Sequence, residues 1–177
     1  VTVEYEGHVA ALNTRPLTAI VLQGLLRPIM DSVNMVNAPV IAKENGIDVV
    51  EARHDREGDY HTLIRLIVET TERTRNVAGT LFADRRPRIV EVKGIKVEAE
   101  LGAHMLYVTN EDKPGFIGRL GTLPADAGIN IATFHLGRAE PGKDAIALVE
   151  VDGPIPDQVL SAVRAIPAVR QATPLSF

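Results

Sequence analysis

Polar residues stand at both ends of a predicted helix between residues 110 and 130, and their types match what a small amino acid would need. Asp112 offers a carboxylate for an ammonium group, and Asn130 offers an amide for a hydroxyl. Lys113-Pro114-Gly115 leads into the helix, whose first N–H groups favour a carboxylate. The residue types therefore indicate a possible site for a small amino acid.

The positions of these residues suggest that such a site would need two copies of the chain. A helix that runs from one end of a sheet to the other places Asp112 and Asn130 at distant ends within one copy, whereas a second copy packed alongside in antiparallel fashion brings them together. A second interpretation stays open on residue types alone. Asp112 can be a helix cap or turn residue, and Asn130 a turn residue after Gly128.

The elements around this segment predict a complete small domain. Strands are expected over 104–110, 129–138, 144–152 and 169–175, and helices over 115–128 and 156–166. This order, βαββαβ, is the ferredoxin-like arrangement. In the first helix, Gly115, Gly118 and Gly121 are expected to let the helix lie close to its sheet, and Pro124 is expected to kink the helix or end it early.

The first part of the chain predicts helices packed on a mixed or mostly antiparallel sheet. A helix beginning near Pro16 should bury the stripe formed by Leu17, Ile20, Val21, Gly24 and Leu25, and a short helix should end at Gly46. The strands 47–55 and 60–71 are expected to form a hairpin across the turn 55–59. The predicted class is α+β, with domains at residues 1–101 and 102–177.

Composition excludes several classes of function. The chain of 177 residues has 45% hydrophobic residues, so it can bury a core, and its net charge of -4 argues against a nucleic-acid or anionic-membrane surface. Only 4% aromatic residues argue against an RNA-binding sheet. The absence of cysteine fits a reducing cytoplasm. The chain opens on Val1, inside a strand-like alternation, which we interpret as the start of a fragment.

Catalytic and metal-binding patterns are not found. The five histidines are scattered, and no P-loop, dinucleotide fingerprint or nucleophile elbow occurs. His54 and His61 flank the predicted hairpin and could face each other as two zinc ligands, or be ordinary strand histidines. The basic run 83–88 could bind an anion or be a solvated turn. We therefore predict no catalytic residue, no metal site and no cofactor in this chain.

The motif NEDKPGFIGRLGTL, followed by AGINIATFHLGR and DAIALVEVD, resembles an ACT domain, the amino-acid-sensing module. It is similar in particular to the ACT domain that ends the D-3-phosphoglycerate dehydrogenases. The preceding RPLTAIVLQGLLRPIMDSVNMVNAPVIAKENGI resembles the intervening, or allosteric substrate-binding, domain of the long form of those enzymes. Together the two matches cover nearly the whole chain and identify it as a C-terminal regulatory region.

The resemblance implies feedback control, in which L-serine binds between ACT domains of adjacent subunits and slows a distant NAD-dependent site in the missing catalytic domains. It implies a homo-oligomer, dimeric through the ACT domains and tetrameric in the parent enzyme. By position, Asp112 and Asn130 match the family's serine-holding polar residues, and Gly115 matches the glycine that opens the helix. Asn110 stands where some members have histidine or an aromatic residue. Arg88 and Lys96 are the candidates for the anion site of the intervening domain.

Two alternatives to serine sensing are left open by the sequence. One is a purely structural assembly module that has kept the fold without the ligand. The other is the ACT-bearing β part of an iron–sulfur L-serine dehydratase, although the Ser/His-rich opening segment of that family is missing.

Overall fold

A computed structural model describes residues 1–55, 58–82 and 85–177. Parts of the predicted turn 55–59 and of the basic run 83–88 therefore lie outside the described residues. The chain divides into two compact units, Val1–Asp84 and Arg85–Phe177. The proposed domain boundary between residues 101 and 102 stays a prediction.

The first unit combines two helices with a mixed sheet. Its elements are β1 (Thr2–Gly7), a 3-10 helix (His8–Ala11), α1 (Arg15–Leu26), α2 (Ala38–Glu44), β2 (Val50–His54), β3 (Thr62–Glu69) and β4 (Thr74–Leu81). The strand order is β2-β1-β3-β4, in which β1 and β2 are parallel and the other neighbours antiparallel. The mixed sheet with helices is as predicted.

The predicted hairpin between residues 47–55 and 60–71 is wrong, because β1 lies between the two strands. Glu6 of β1 is paired with His54 on one side and with Leu63 on the other. His61 does not face His54 across a hairpin and instead stacks on His8, with 5.5 Å between ring centroids. Turn residues indicated where the chain reverses but not which strand would be the neighbour.

The buried face of α1 also differs from the prediction. Ile20 is 51% exposed, and Gly24 is exposed as well. The residues that α1 buries are Thr18, Ala19, Leu22 and Leu26. The prediction followed apolar residues alone, whereas the helix turns a threonine inward because its hydroxyl has buried polar partners.

The second unit contains the predicted ferredoxin-like domain and one further hairpin. Its elements are β5 (Pro87–Val92), β6 (Ile95–Glu100), β7 (His104–Glu111), α3 (Phe116–Asp126), β8 (Ile131–Arg138), β9 (Asp144–Val151), α4 (Asp157–Arg164) and β10 (Val169–Ser176). Strands β7 to β10 form an antiparallel sheet in the order β10-β7-β9-β8. The βαββαβ prediction is confirmed.

This sheet is covered on both faces, which explains why β9 reads as a nearly continuous apolar run. On one face Leu106 and Val149 pack in a core with α3 and α4. On the other, Met105 and Leu148 pack against the β5–β6 hairpin. The hairpin lies so close to β8 that a Cβ on Gly137 would overlap the carbonyl oxygen of Lys96. A glycine is therefore required at this point of β8.

The glycines of α3 do not bring the helix close to its sheet as predicted. A Cβ added at Gly118 or Gly121 would meet no atom within 4 Å, because these positions face away from the sheet. The helix instead buries Phe116, Leu120 and Pro124. Pro124 lies in the last turn, where the missing N–H has little helix left to disrupt. Its carbonyl accepts hydrogen bonds from the N–H groups of Ala127 and Ile129, which close the helix end.

Candidate functional site

Asp112 lies directly after β7 and is held by the loop that connects β8 and β9. Its Oδ2 accepts hydrogen bonds from Arg138 Nη1 at 3.1 Å and from the Gly142 N–H at 3.2 Å. The Asp112 N–H donates to the Lys143 carbonyl at 2.8 Å. Asp112 therefore joins two segments distant in sequence and is not a helix cap: the N-cap of α3 is Gly115, and no side chain caps it.

The carboxylate of Asp112 is ionised, and only one of its two oxygens accepts hydrogen bonds. The Gly142 N–H and then the Arg138 guanidinium hold the pKa of this carboxyl below its usual range. Within the described residues, Oδ1 accepts no hydrogen bond, and the Asp112 side chain is 33% exposed. A charged acceptor therefore faces solvent in a fixed position.

Four other charged residues at this end of the sheet are paired with one another. Glu111 contacts Lys113 at 2.5 Å and Arg170 at 3.5 Å, and Arg170 contacts Asp144 at 2.6 Å. The ion pair with Lys113, followed by that with Arg170, lowers the pKa of Glu111. The Lys113 ammonium and both Nη atoms of Arg170 are therefore held in ion pairs within the chain.

Gly115 and Asn110 lie next to Asp112, one on each side of it in the chain. Gly115 has φ of 85°, a left-handed conformation that favours glycine at the helix start. Asn110 is 2% exposed. Its Nδ2 donates to the Glu111 carbonyl at 2.8 Å, whereas its Oδ1 has no hydrogen-bond partner within the described part of the chain. Asn110 thus leaves one buried acceptor unused.

Asn130 lies at the other end of the same sheet. Its Nδ2 donates to Asp152 Oδ2 at 3.0 Å, and its carbonyl accepts from the Asp152 N–H. Glu111 pairs with Asp144 at the start of β9, whereas Asn130 lies beside the strand's end. At about 3.3 Å per residue, the two ends are roughly 25 Å apart. The structure of one copy does not bring Asp112 and Asn130 together, in agreement with the expectation for a single chain.

The two candidates for anion binding lie on the β5–β6 hairpin. Arg88 Nη2 contacts Glu100 Oε1 at 2.5 Å, and these residues are also cross-strand neighbours. Lys96 is exposed and lies opposite Glu91 in the strand register. Arg88 is thus held in an ion pair within its own hairpin, and its role in anion binding stays a prediction.

A shallow groove of about 570 Å³ lies between α3 and α4. It is lined on one side by Gly115, Gly118 and Thr122, and on the other by Ala162 and Ala165. The solvent-facing glycines of α3 thus create open space instead of close packing.

Among the described residues, no group of three or more His, Cys, Asp or Glu side chains could hold a metal ion. None of the helices described is long and apolar enough to span a bilayer.

The first unit contains a polar cluster that was not foreseen from the sequence. The Glu51 carboxylate accepts hydrogen bonds from the hydroxyls of Thr14, at 2.8 Å, and of Thr18, and from Arg53 Nη2 at 3.0 Å. The Thr18 hydroxyl also bonds the hydroxyl of buried Tyr5 at 2.7 Å. These bonds, that from Thr18 first, lower the pKa of Glu51, while burial raises the pKa of Tyr5. No local pattern indicated this cluster, because Glu51 lies 37 residues from Thr14 and 33 from Thr18 along the chain.

The chain thus consists of a mixed-sheet unit followed along the sequence by a ferredoxin-like unit with polar groups near both ends of its first helix. Residues 1–93 match the D-3-phosphoglycerate dehydrogenase intervening domain, and residues 104–168 match the ACT domain. The chain belongs to the family of the D-3-phosphoglycerate dehydrogenase intervening domain and carries an ACT domain after it.

Curated relatives agree with this assignment over nearly the whole chain. The D-3-phosphoglycerate dehydrogenase of Bacillus subtilis is 35% identical over 170 residues, covering 96% of this chain and 32% of that protein. The enzyme of that name from Methanocaldococcus jannaschii is 32% identical, and that from Archaeoglobus fulgidus 34% identical, each over 98% of this chain and 33% of its own length. The chain thus spans about a third of each of these relatives.

A comparison of folds adds a weak likeness to the C-terminal domain of the MgtC protein from Mycobacterium tuberculosis. It has a TM-score of 0.34 and 13% identity, and it covers 50% of this chain and 94% of that domain. At this score the likeness carries no argument.

Proposed function

We propose that this chain is the effector-binding and oligomerisation region of a cytoplasmic, NAD-dependent D-3-phosphoglycerate dehydrogenase, and that L-serine is its feedback effector. The relatives named above support the parent activity, and the ACT domain supports an amino-acid ligand. Serine binds where two ACT domains of a homo-oligomer meet. Its binding favours one relation between subunits, which biases closure of the catalytic domains.

The observation that carries this proposal is the half-used carboxylate of Asp112, which faces solvent at the start of α3. Its open Oδ1 suits the ammonium group of an amino acid. Asn110, with one unused acceptor, and Gly115, with no side chain, complete this half of the site. Asn130 of a neighbouring subunit supplies an amide for the serine hydroxyl.

The direct test is titration calorimetry of the 177-residue chain with L-serine, with the oligomer checked by analytical ultracentrifugation. We expect saturable heat with L-serine at millimolar or lower concentration and much weaker binding of D-serine. No heat from a chain that is confirmed as a dimer would overturn the proposal.

Two variants connect the binding to the named residues. Asp112→Asn keeps the shape of the side chain and removes its charge, and we expect it to abolish binding while the dimer persists. Asn130→Ala should also weaken binding. Asp126→Asn is the matched control, because Asp126 is an exposed carboxylate at the end of α3 with no assigned role. Equal loss in the control would indicate a general effect of charge.

A structural assembly module is the second candidate, and a specific observation favours it. Asp112 and Asn130 already have partners within the chain, Arg138 and Asp152. If these contacts only stabilise the fold, titration with L-serine gives no heat. Asp112→Asn then changes neither L-serine binding nor inhibition of the full-length enzyme. A serine-inhibited parent enzyme that Asp112→Asn desensitises would exclude this candidate.

A further inference from the structure

Arg138 is the nearest cation to the Asp112 carboxylate, and its position is set by the fold. It is the last residue of β8, the outer strand of the sheet, and it reaches back to the end of β7. Its Nη1 donates to Asp112 Oδ2 at 3.1 Å, and the side chain is 60% exposed. The remaining guanidinium N–H groups make no hydrogen bond within the described residues.

Asp112 and Arg138 therefore form a pair in which each partner keeps free hydrogen-bonding capacity toward solvent. Asp112 has an open oxygen, and Arg138 has open N–H donors arranged in a planar fork that fits a carboxylate. A free amino acid carries the complementary pair, an ammonium and a carboxylate, on one carbon atom. The geometry thus offers each charge of a zwitterion a partner.

Other sources of positive charge at this end of the sheet are less suitable. Both Nη atoms of Arg170 and the single ammonium of Lys113 already contact carboxylates, whereas Arg138 uses only Nη1. The first N–H of α3, on Phe116, already donates to the Lys113 carbonyl at 3.3 Å. Lys143 is exposed in the neighbouring loop and makes no salt bridge within the described residues, but it offers a single ammonium without a fork.

We propose that Arg138 recognises the carboxylate of the effector, so that the Asp112–Arg138 pair selects a zwitterionic amino acid over an amine or an uncharged analogue. This inference rests on the proposed function, because it assigns a specificity-determining residue to the same site. Arg138 stays in contact with Asp112 and turns its free N–H groups to the ligand. In this arrangement the N-terminus of α3 contributes its dipole, and the charged contact with the ligand carboxylate comes from Arg138 at the end of β8.

The test is calorimetry of the 177-residue chain and its variants with L-serine. Arg138→Gln should weaken binding about ten- to hundredfold, as expected for loss of a charged, forked contact. Arg138→Lys keeps the charge without the fork and should recover part of the loss. Lys143→Gln is the matched control: it removes a nearby side-chain charge, keeps the backbone carbonyl that accepts from the Asp112 N–H, and should leave the affinity within about threefold.

A second ligand separates recognition of the carboxylate from a general loss of binding. L-serinamide carries an amide in place of the carboxylate, so the unmutated chain should bind it far more weakly than L-serine. Arg138→Gln should reduce the preference for L-serine over L-serinamide, because the variant lacks the guanidinium that contacts the ligand carboxylate. A variant that binds L-serine as the unmutated chain does would overturn the inference alone.

Two further outcomes are informative. Tighter binding of L-serine by Arg138→Gln would show that Arg138 competes for Asp112 instead of helping the ligand, and would overturn the inference. Absence of L-serine binding by the unmutated chain would overturn the proposed function, and this inference with it. The fold is not at risk, since an exposed ion pair contributes little to stability.

Discussion

Glu51 in the first unit and Asp112 in the second are both carboxylates that accept a hydrogen bond from an arginine, and both have a lowered pKa. They differ in how completely they are satisfied. Both oxygens of Glu51 accept hydrogen bonds, and two of its donors are the hydroxyls of buried threonines. Asp112 uses one oxygen and leaves the other toward solvent.

The difference separates a carboxylate that holds a fold from one that is available to a ligand. Glu51 connects β2 to the start of α1, and replacing it by an amide removes the charge and one of the two oxygens that accept from buried hydroxyls. Asp112 connects exposed loops, where an ion pair adds little stability. The pKa is lowered for both carboxylates and does not distinguish them. What distinguishes them is the number of oxygens that accept no hydrogen bond within the described residues, none in Glu51 and one in Asp112.

The largest effect is expected where the strand that carries Arg138 meets the β5–β6 hairpin. Gly137→Ala places a Cβ on the backbone carbonyl of Lys96, and we expect it to lower the free energy of unfolding of the second unit by about 3 kcal/mol. Gly118→Ala is the control, since a helix position with open space should gain about 0.5–1 kcal/mol. Urea unfolding measures both. Equal stability of the two variants would show that the site strand is not rigidly packed.

Replacing each carboxylate by an amide separates the roles of Glu51 and Asp112. Glu51→Gln should destabilise the first unit by about 2 kcal/mol, because buried hydroxyls lose a charged acceptor, and should leave L-serine binding unchanged. Asp112→Asn should do the reverse and abolish binding without a change in thermal unfolding. Calorimetry and thermal melts of both variants are the measurements. If both variants lose stability alike, the distinction between the two carboxylates fails.

A smaller effect is expected at the far end of the Glu51 cluster. Tyr5→Phe removes a hydroxyl that is hydrogen-bonded to Thr18, without removing the acceptor on Glu51. The expected loss is about 1 kcal/mol, the usual contribution of one neutral hydrogen bond. Chemical unfolding of the first unit checks this value. A loss as large as that of Glu51→Gln would mean that the cluster acts as one cooperative network.

The smallest effect is the pH dependence that Glu51 confers on the first unit. Because its folded pKa is lowered, its stabilisation is complete above the unfolded value of about 4.3 and is lost as pH falls through the folded pKa. The difference in stability between the unmutated chain and Glu51→Gln should therefore be constant from pH 7 to 5 and shrink below about pH 4. Unfolding titrations at stepped pH values measure it, and a difference that grows on acidification would contradict the assignment.

The second unit could be predicted from sequence because its periodic patterns and its tertiary packing agree. The α4 residues Val159, Leu160 and Val163 are buried as their spacing predicts. Lys93 and Gly94 form the turn between β5 and β6, with φ of 53° and 77°. In α1, by contrast, the pattern of apolar residues placed Ile20 inward, while the Glu51 cluster turns Thr18 inward instead.

The site was predicted in part for a similar reason. Asp112 and Asn130 stand in a recognisable motif, and their separation follows from the helix between them. Arg138 and Gly142, which contact Asp112, are 26 and 30 residues away along the chain. No local pattern indicates such contacts, because they arise from the register in which β8 and β9 pair. The partner of β1 could not be predicted either, since turn chemistry does not select a strand's neighbours.

The separation of Asp112 from Asn130 has a consequence for how many effector molecules an assembly holds. If a rotation by 180° brings Asp112 of one copy to Asn130 of another, the same rotation brings the reverse pair together. Each such interface then contains two equivalent sites, and saturation corresponds to one effector molecule for each chain. A measured ratio of one molecule for every two chains would mean that filling the first site breaks the symmetry and closes the second.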